Sequence, residues 1–190
     1  MQDFTQHIIR LYSELHPLDR VARAGYVLRG VAEPESVAAH SHFVALLAML
    51  YADRNPDVFD ASKAVAMALI HDLAECRLMD IPMPAADAHF KELKAEAEQA
   101  VTEQLFESID RRYGELHREL CEGTTPEARL VRGLDKAQMM IKVLMYQREG
   151  RGRLHEFWTN PANFNDYGLT CVSDLFDAIC LEAGRPRPSR

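Results

Sequence analysis

Residues 69–75 read LIHDLAE, and KAVAMA (63–68) stands directly before them. A helix this apolar buries most of its circumference. Yet it carries a histidine, an aspartate and a glutamate within little more than one turn. At helical spacing His71 shares its side with Ala64, Met67 and Ala68, and Asp72 shares its own with Val65, Ala68 and Leu69. An unpaired ionised carboxylate on such a face costs roughly several kcal/mol, so it must be neutralised, paired or bound to a cation. Glu75 follows His71 by four residues and Asp72 by three, which brings it to the same patch.

The same anomaly recurs elsewhere. His40 lies on a stripe with Val44, Leu47 and Tyr51, while His42 is about 200° around the helix and cannot serve the same ion. Asp135 stands between Val131 and Met139 and next to Leu134. Each has a plain reading by itself: a satisfied core histidine, or an aspartate pairing with Arg132 or Lys136 on a solvated edge. Together, imidazoles and carboxylates from three segments could close one mixed N/O site, which suits Mn, Fe, Co or Ni.

Helical periodicity dominates the chain, and no segment alternates like a strand. FTQHIIRLYSEL opens a helix with Phe4, Ile8, Leu11 and Leu15 as its apolar stripe. Gly25 and Gly30 punctuate a turn region that runs to Pro34. A second helix starts after Ser36, a suitable N-cap, and NPDVFD ends it. The quoted helix comes third and stops before IPMP, because Pro82 and Pro84 lack an N–H. A long charged helix is expected from about His89 to Tyr113, then a shorter one around ELHRELC. Another long helix begins with Pro126 in its first turn, and LTCVSDLFDAICLEAG makes the last. The expectation is an all-α, single-domain bundle over residues 1–184, with RPRPSR (185–190) as a disordered tail.

Composition narrows the function. The chain has 190 residues, 47% of them hydrophobic and 27% charged, as expected of one globular domain. Its longest apolar run, Val44 to Ala52, is about half a bilayer span, so no membrane association is expected. The N-terminus has neither the basic nor the apolar region of a signal peptide, and the four cysteines lack CxxC spacing; both suggest the cytoplasm. A net charge of -7 argues against a nucleic-acid polymer as partner. It leaves room for an anionic small molecule where Arg20, Arg23 and Arg29 concentrate in RVARAGYVLRG, unless that stretch is simply a solvated helix end.

The ordered set H…HD…D resembles the signature of the HD-domain metal-dependent phosphohydrolase superfamily. GYVLRGVAEPESVAAHS, ALIHDLAECRLMDIPMP and LVRGLDKAQMM are similar to three blocks of its 5'-deoxynucleotidase branch, and the likeness runs from about Leu15 to Ile179. The resemblance implies an HD-type helical bundle holding one divalent transition metal ion (Mn, Co, Fe or Ni) through His40, His71, Asp72 and Asp135. It implies hydrolysis of deoxyribonucleoside 5'-monophosphates, with Glu75 and Asp80 sharing acid and base roles. Arg23, or Arg29 if the turn differs in length, would grip the phosphate, and Tyr26 stands where relatives place a tryptophan near the sugar. Met79 precedes Asp80 where the branch has glycine, and Ala39 replaces an acid often found before the first histidine.

Three rivals remain at this stage. The first is a phosphohydrolase of the same chemistry acting on another small phosphorylated metabolite. The second is a di-iron HD-type oxygenase, which needs further histidines in the interval that holds His89 and His117. The third is a binding module that kept the metal and lost activity. A homodimer is expected by analogy, with Tyr12, Phe157, Trp158 and Phe176 forming either core or dimer surface.

Overall fold

In the computed structural model, residues 2–82 and 91–189 are described, and among them every regular element is helical. The one β contact there is an isolated antiparallel bridge between Ala22 and Ser36. Helix α1 (Gln2–Leu15) leads through a 3-10 turn (His16–Asp19) to the single turn α2 (Ala24–Val27). Then come α3 (Val37–Arg54), α4 (Ala61–Ile70) and the short α5 (Glu75–Leu78). Helices α6 (Lys91–Phe106) and α7 (Arg112–Glu122) form a hairpin before the long α8 (Pro126–Arg148). Helix α9 (His155–Thr159), a second 3-10 turn (Pro161–Phe164) and α10 (Thr170–Ala183) complete the order.

Side-chain caps set several starts. Ser36 accepts a hydrogen bond from the Ala39 amide at 3.2 Å, Asp60 from Lys63 at 3.0 Å, and Thr125 from Ala128 at 3.4 Å. Each satisfies one of the orphan amides of a helix N-terminus, a contribution of about 1 kcal/mol. Pro126 occupies the first turn of α8, as its missing N–H favours.

Helix α8 is the axis of the core. It buries Leu130, Val131, Leu134, Ala137, Met140 and Val143, and α3, α4, α7 and α10 pack against it. Gly133 lets α10 come close: a Cβ there would lie 2.9 Å from Val172 Cγ1. Phe157, Trp158 and Phe176 belong to this core, whereas Tyr12 is exposed, so only the last could serve an interface. No helix among the described residues is long and apolar enough to cross a membrane.

Three expectations need correction. The stripe of α1 is half-buried only at its end: Leu11 and Leu15 pack on the small core around Ile70, Leu105 and Phe106, while Phe4 and Ile8 stay exposed. The long charged helix divides. Ile109 and Asp110 both bond back to the Phe106 carbonyl, and the Asp110 carboxylate caps Arg112, so a new helix begins where one was expected to continue. The start assigned to that helix, His89, lies outside the described residues. The HD helix also ends early, at Ile70. From there the amides of Leu73, Glu75, Cys76 and Arg77 bond to carbonyls three residues back, a tighter winding than the α-helix. Beyond α10, Arg187 bonds to Asp166, Ser173 and the Phe164 carbonyl and lies over Phe176.

Candidate active site

Three elements bring the polar side chains together. Helix α3 supplies His40, which is fully buried, the tight turn after α4 supplies His71 and Asp72, and α8 supplies Asp135. His40 Nε2 and His71 Nε2 face each other at 3.3 Å. Asp72 Oδ2 lies 3.2 Å from His71 Nε2 and 3.7 Å from His40 Nε2, and Asp135 Oδ1 lies 3.1 Å from His40 Nε2. Residues 40 and 135 are thus neighbours only through the packing of α3 on α8.

The ring nitrogens on the far sides decide the chemistry. His71 Nδ1 lies 2.7 Å from the Ala68 carbonyl, which can only accept, so Nδ1 carries the proton. His40 Nδ1 lies 2.6 Å from Gln138 Oε1, whose amide nitrogen is turned to the Glu35 carboxylate; His40 Nδ1 therefore donates as well. Both Nε2 atoms then face one space bordered by two carboxylates. At 3.3 Å a proton on one ring can be shared with the other or with Asp72, and a cation that displaces it would meet two nitrogen donors. His40, His71 and Asp72 offer ligand atoms within 4.8 Å of one another, so the donor set fits a divalent metal ion.

The electrostatics agree. Burial works against ionised Asp72 and Asp135, but His71, His40 and Arg23 hold Asp72 well below the usual carboxylate range, and Lys136 and His40 hold Asp135 down. Burial tends to lower His71, yet the charge and hydrogen bond of Asp72 push it up to about 9, so a metal ion has to displace a proton there. Lys136 lies 3.8 Å from Asp135, whereas Arg132 bonds to the Cys121 carbonyl and stacks over Tyr167.

Glu75 and Arg23 complete the cluster. Arg23 Nη1 bonds to Asp72 Oδ2 at 3.0 Å and lies 3.8 Å from Asp80 and 4.0 Å from Glu75; its Nη2 is 4.0 Å from Asp135. Burial opposes its charge, but four carboxylates hold it protonated more firmly than usual. Glu75 is almost wholly buried and its Oε2 has no hydrogen-bond partner. Burial first, then the neighbouring Asp72, pushes its carboxyl up to about 10. Asp80 Oδ2 accepts from the Ala24 amide at 2.6 Å, tying the second acidic segment to α2 directly after Arg23.

These groups form one end of a cleft of about 700 Å³, whose walls include Tyr26, Met139, Phe157, Asn163 and Lys94. Tyr26 stacks on Phe157 at 5.5 Å and donates its hydroxyl to the Met139 carbonyl at 3.1 Å. Arg29 sits at the cleft rim, 2.5 Å from Glu156 Oε2, and is not among the groups around the histidines. Met79, which stands where glycine is usual, has φ 65° and ψ 164°, so the loop keeps a glycine-like conformation on a residue that pays strain for it. His117 is buried with Nδ1 on Gln99 Oε1 at 2.8 Å, and His89 lies outside the described residues.

Sequence reasoning missed Glu35, Gln138 and Lys94. Gln138 had a signal, since it interrupts the apolar run Ala137–Ile141 of α8. Lys94 had none: a lysine in a charged helix gives no hint that its amine, 2.7 Å from Glu98, lines the cleft.

The helical frame and the paired imidazoles and carboxylates define a class, and the chain belongs to it: the HD-domain family, whose model matches residues 16–165. Within that family it is similar to the 5'-deoxynucleotidase HDDC2 of Homo sapiens, 34% identical over 151 residues that cover 76% of this chain and 72% of that protein. The Xenopus laevis 5'-deoxynucleotidase HDDC2 is 36% identical over 151 residues, 76% of this chain and 73% of that one. The crystal structure of the PH0347 protein from Pyrococcus horikoshii OT3 matches with a TM-score of 0.74 at 34% identity, covering 93% of this chain and 98% of that chain.

Proposed function

We propose that the protein is a metal-dependent phosphomonoesterase that hydrolyses (deoxy)ribonucleoside 5'-monophosphates to nucleoside and phosphate. The observation that carries this reading is the pair of opposed Nε2 atoms, bordered by Asp72 and Asp135, beside a buried arginine that lines a cleft. His40, His71, Asp72 and Asp135 hold one divalent ion, with Mn, Co, Fe or Ni suited to this donor set. When bound, such an ion lowers the pKa of a water and withdraws charge from the phosphoryl group.

The chain's own side chains do the rest. Arg23 turns its guanidinium fork to the nonbridging phosphate oxygens, neutralising charge where it accumulates. Glu75, buried beside Asp72 with an unpartnered oxygen, handles the proton of the attacking water or of the leaving sugar oxygen. Asp80 has one oxygen committed to the Ala24 amide, which suits it to hold the Arg23 segment in place. The nucleoside lies against Tyr26 and Phe157, and Arg29 closes the rim through Glu156.

Residues 1–184 act as one HD-type domain in this reading, the protein works in the cytoplasm, and its exposed α1 side chains, Phe4, Ile9 and Tyr12, suit a homodimer. The test is phosphate release from a panel of deoxyribo- and ribonucleoside 5'-monophosphates and other small phosphomonoesters, with Co²⁺ or Mn²⁺ added and with a chelator. Turnover of the nucleotides that chelator abolishes supports the proposal. Preference for a non-nucleotide phosphomonoester would overturn its substrate, and metal-independent turnover its mechanism.

A further inference from the structure

Behind His40 lies a buried polar chain that the proposed hydrolysis does not require by itself. His40 Nδ1 donates to Gln138 Oε1 at 2.6 Å; Gln138 Nε2 donates to Glu35 Oε2 at 3.1 Å and lies 3.4 Å from Oε1. All three residues are buried, so none of these groups can fall back on solvent. Lys142 Nζ stands 3.7 Å from Glu35 Oε2, and the Glu35 amide donates to the Tyr146 hydroxyl at 2.7 Å. Gln138, Lys142 and Tyr146 recur every four residues on α8, and Asp135 is one turn before them. A single helix thus presents both a carboxylate to the centre and the support of the histidine opposite.

We infer that Gln138 and Glu35 are positioning residues that fix His40 in the tautomer and orientation a metal ion needs, by a carboxylate–amide–imidazole relay. The inference rests on the reading of His40 as a metal ligand. Two features favour an oriented relay over mere packing. An amide has one accepting and one donating end, and Glu35 can only accept when ionised, so it selects which end meets His40. That end forces the proton onto Nδ1 and leaves Nε2 as the free electron-pair donor. The amide also acts as a spacer: Glu35 Oε1 is 3.9 Å from His40 Nδ1, close enough to polarise the chain without a direct ion pair. Partners of this kind typically change metal affinity about 10- to 100-fold when removed.

The experiment compares Co²⁺ binding, by titration calorimetry on the full chain, among the parent protein, Gln138→Leu, the exchanged pair Glu35→Gln/Gln138→Glu, and His40→Ala. Gln138→Leu removes the acceptor and is expected to weaken Co²⁺ binding about 10- to 100-fold, with KM for phosphomonoester unchanged once excess Co²⁺ restores turnover. The exchanged pair keeps both hydrogen bonds, since a carboxylate at 138 accepts from Nδ1 and an amide at 35 donates to it. Its affinity is expected to equal or exceed that of the parent. Unchanged affinity in Gln138→Leu overturns the relay; should that variant not fold, weakened binding in the exchanged pair overturns it instead. If His40→Ala binds Co²⁺ as the parent does, the ligand reading itself is the one that fails.

Discussion

Arg23 Nη1 donates to Asp72 Oδ2 at 3.0 Å, which joins the segment after the first 3-10 turn to the tight turn after α4. The guanidinium reaches towards Glu75, Asp80 and Asp135 as well, so it is already aligned with the acidic cluster before any anion arrives. Lysine would keep the charge and lose the planar fork. Arg23→Lys is expected to lower kcat/KM for phosphomonoester roughly 100-fold or more, as loss of a transition-state donor does, while metal content stays unchanged. Steady-state kinetics with metal analysis of the same sample checks both halves.

Glu75 gives a prediction on rate and one on pH. Glu75→Gln keeps the shape and removes proton transfer; kcat is expected to fall about 100- to 10,000-fold with metal retained. In the metal-free protein the folded carboxyl is raised from the 4.5 of a free glutamate to about 10. The native state therefore holds a proton that the unfolded chain gives up from 4.5 upward, and stability falls as pH rises between those limits. Glu75→Gln removes that loss, so its Tm in chelator should gain on the parent as pH is raised from 5 to 9, a window set by the roughly one-unit reach of each titration. A pH-independent difference would contradict the assignment.

Met79 tests the second acidic loop. Its side chain is 57% exposed, so little packing is at stake. Its backbone sits at φ 65° and ψ 164°, a region that costs a side-chain-bearing residue about 1–3 kcal/mol. The added chain entropy of glycine costs about 0.5–1 kcal/mol. Met79→Gly is expected to stabilise the fold by about 1 kcal/mol, read as a higher urea midpoint with unchanged m-value.

The crossing of α8 and α10 offers a check of the core. Alanine at position 133 gains about 1 kcal/mol of helix propensity. However, its Cβ would meet Val172 Cγ1 at 2.9 Å, and such overpacking costs about 1–3 kcal/mol. Gly133→Ala should therefore lower stability, and the loss should shrink when Val172→Ala is added. Chemical denaturation of the double-mutant cycle measures that coupling.

Much of this molecule is legible in its sequence, for identifiable reasons. Ser36, Asp60 and Thr125 announce helix starts because capping is local chemistry. His40, His71, Asp72 and Asp135 betray themselves by standing on apolar stripes, where a polar group must have a partner. What periodicity misses depends on longer reach. LIHDLAE reads as a continuous helix, but the winding tightens at His71, a change of hydrogen-bond register that side-chain pattern does not encode. The break at Asp110 is similar, since helix formers surround it and a carboxylate cap decides the matter. Glu35 and Gln138 meet across 103 residues, and only the packing of α3, with the segment that leads into it, on α8 makes them one chain of hydrogen bonds.

The central claim is that four side chains from three segments hold a single divalent ion. Anomalous diffraction from crystals grown with Co²⁺ tests it most directly. One peak is expected, with His40 Nε2, His71 Nε2, an Asp72 oxygen and an Asp135 oxygen each about 2.0–2.2 Å away, the N and O distances usual for such ions. Two peaks in the site, or one peak that Asp135 or His40 does not reach, would contradict the account.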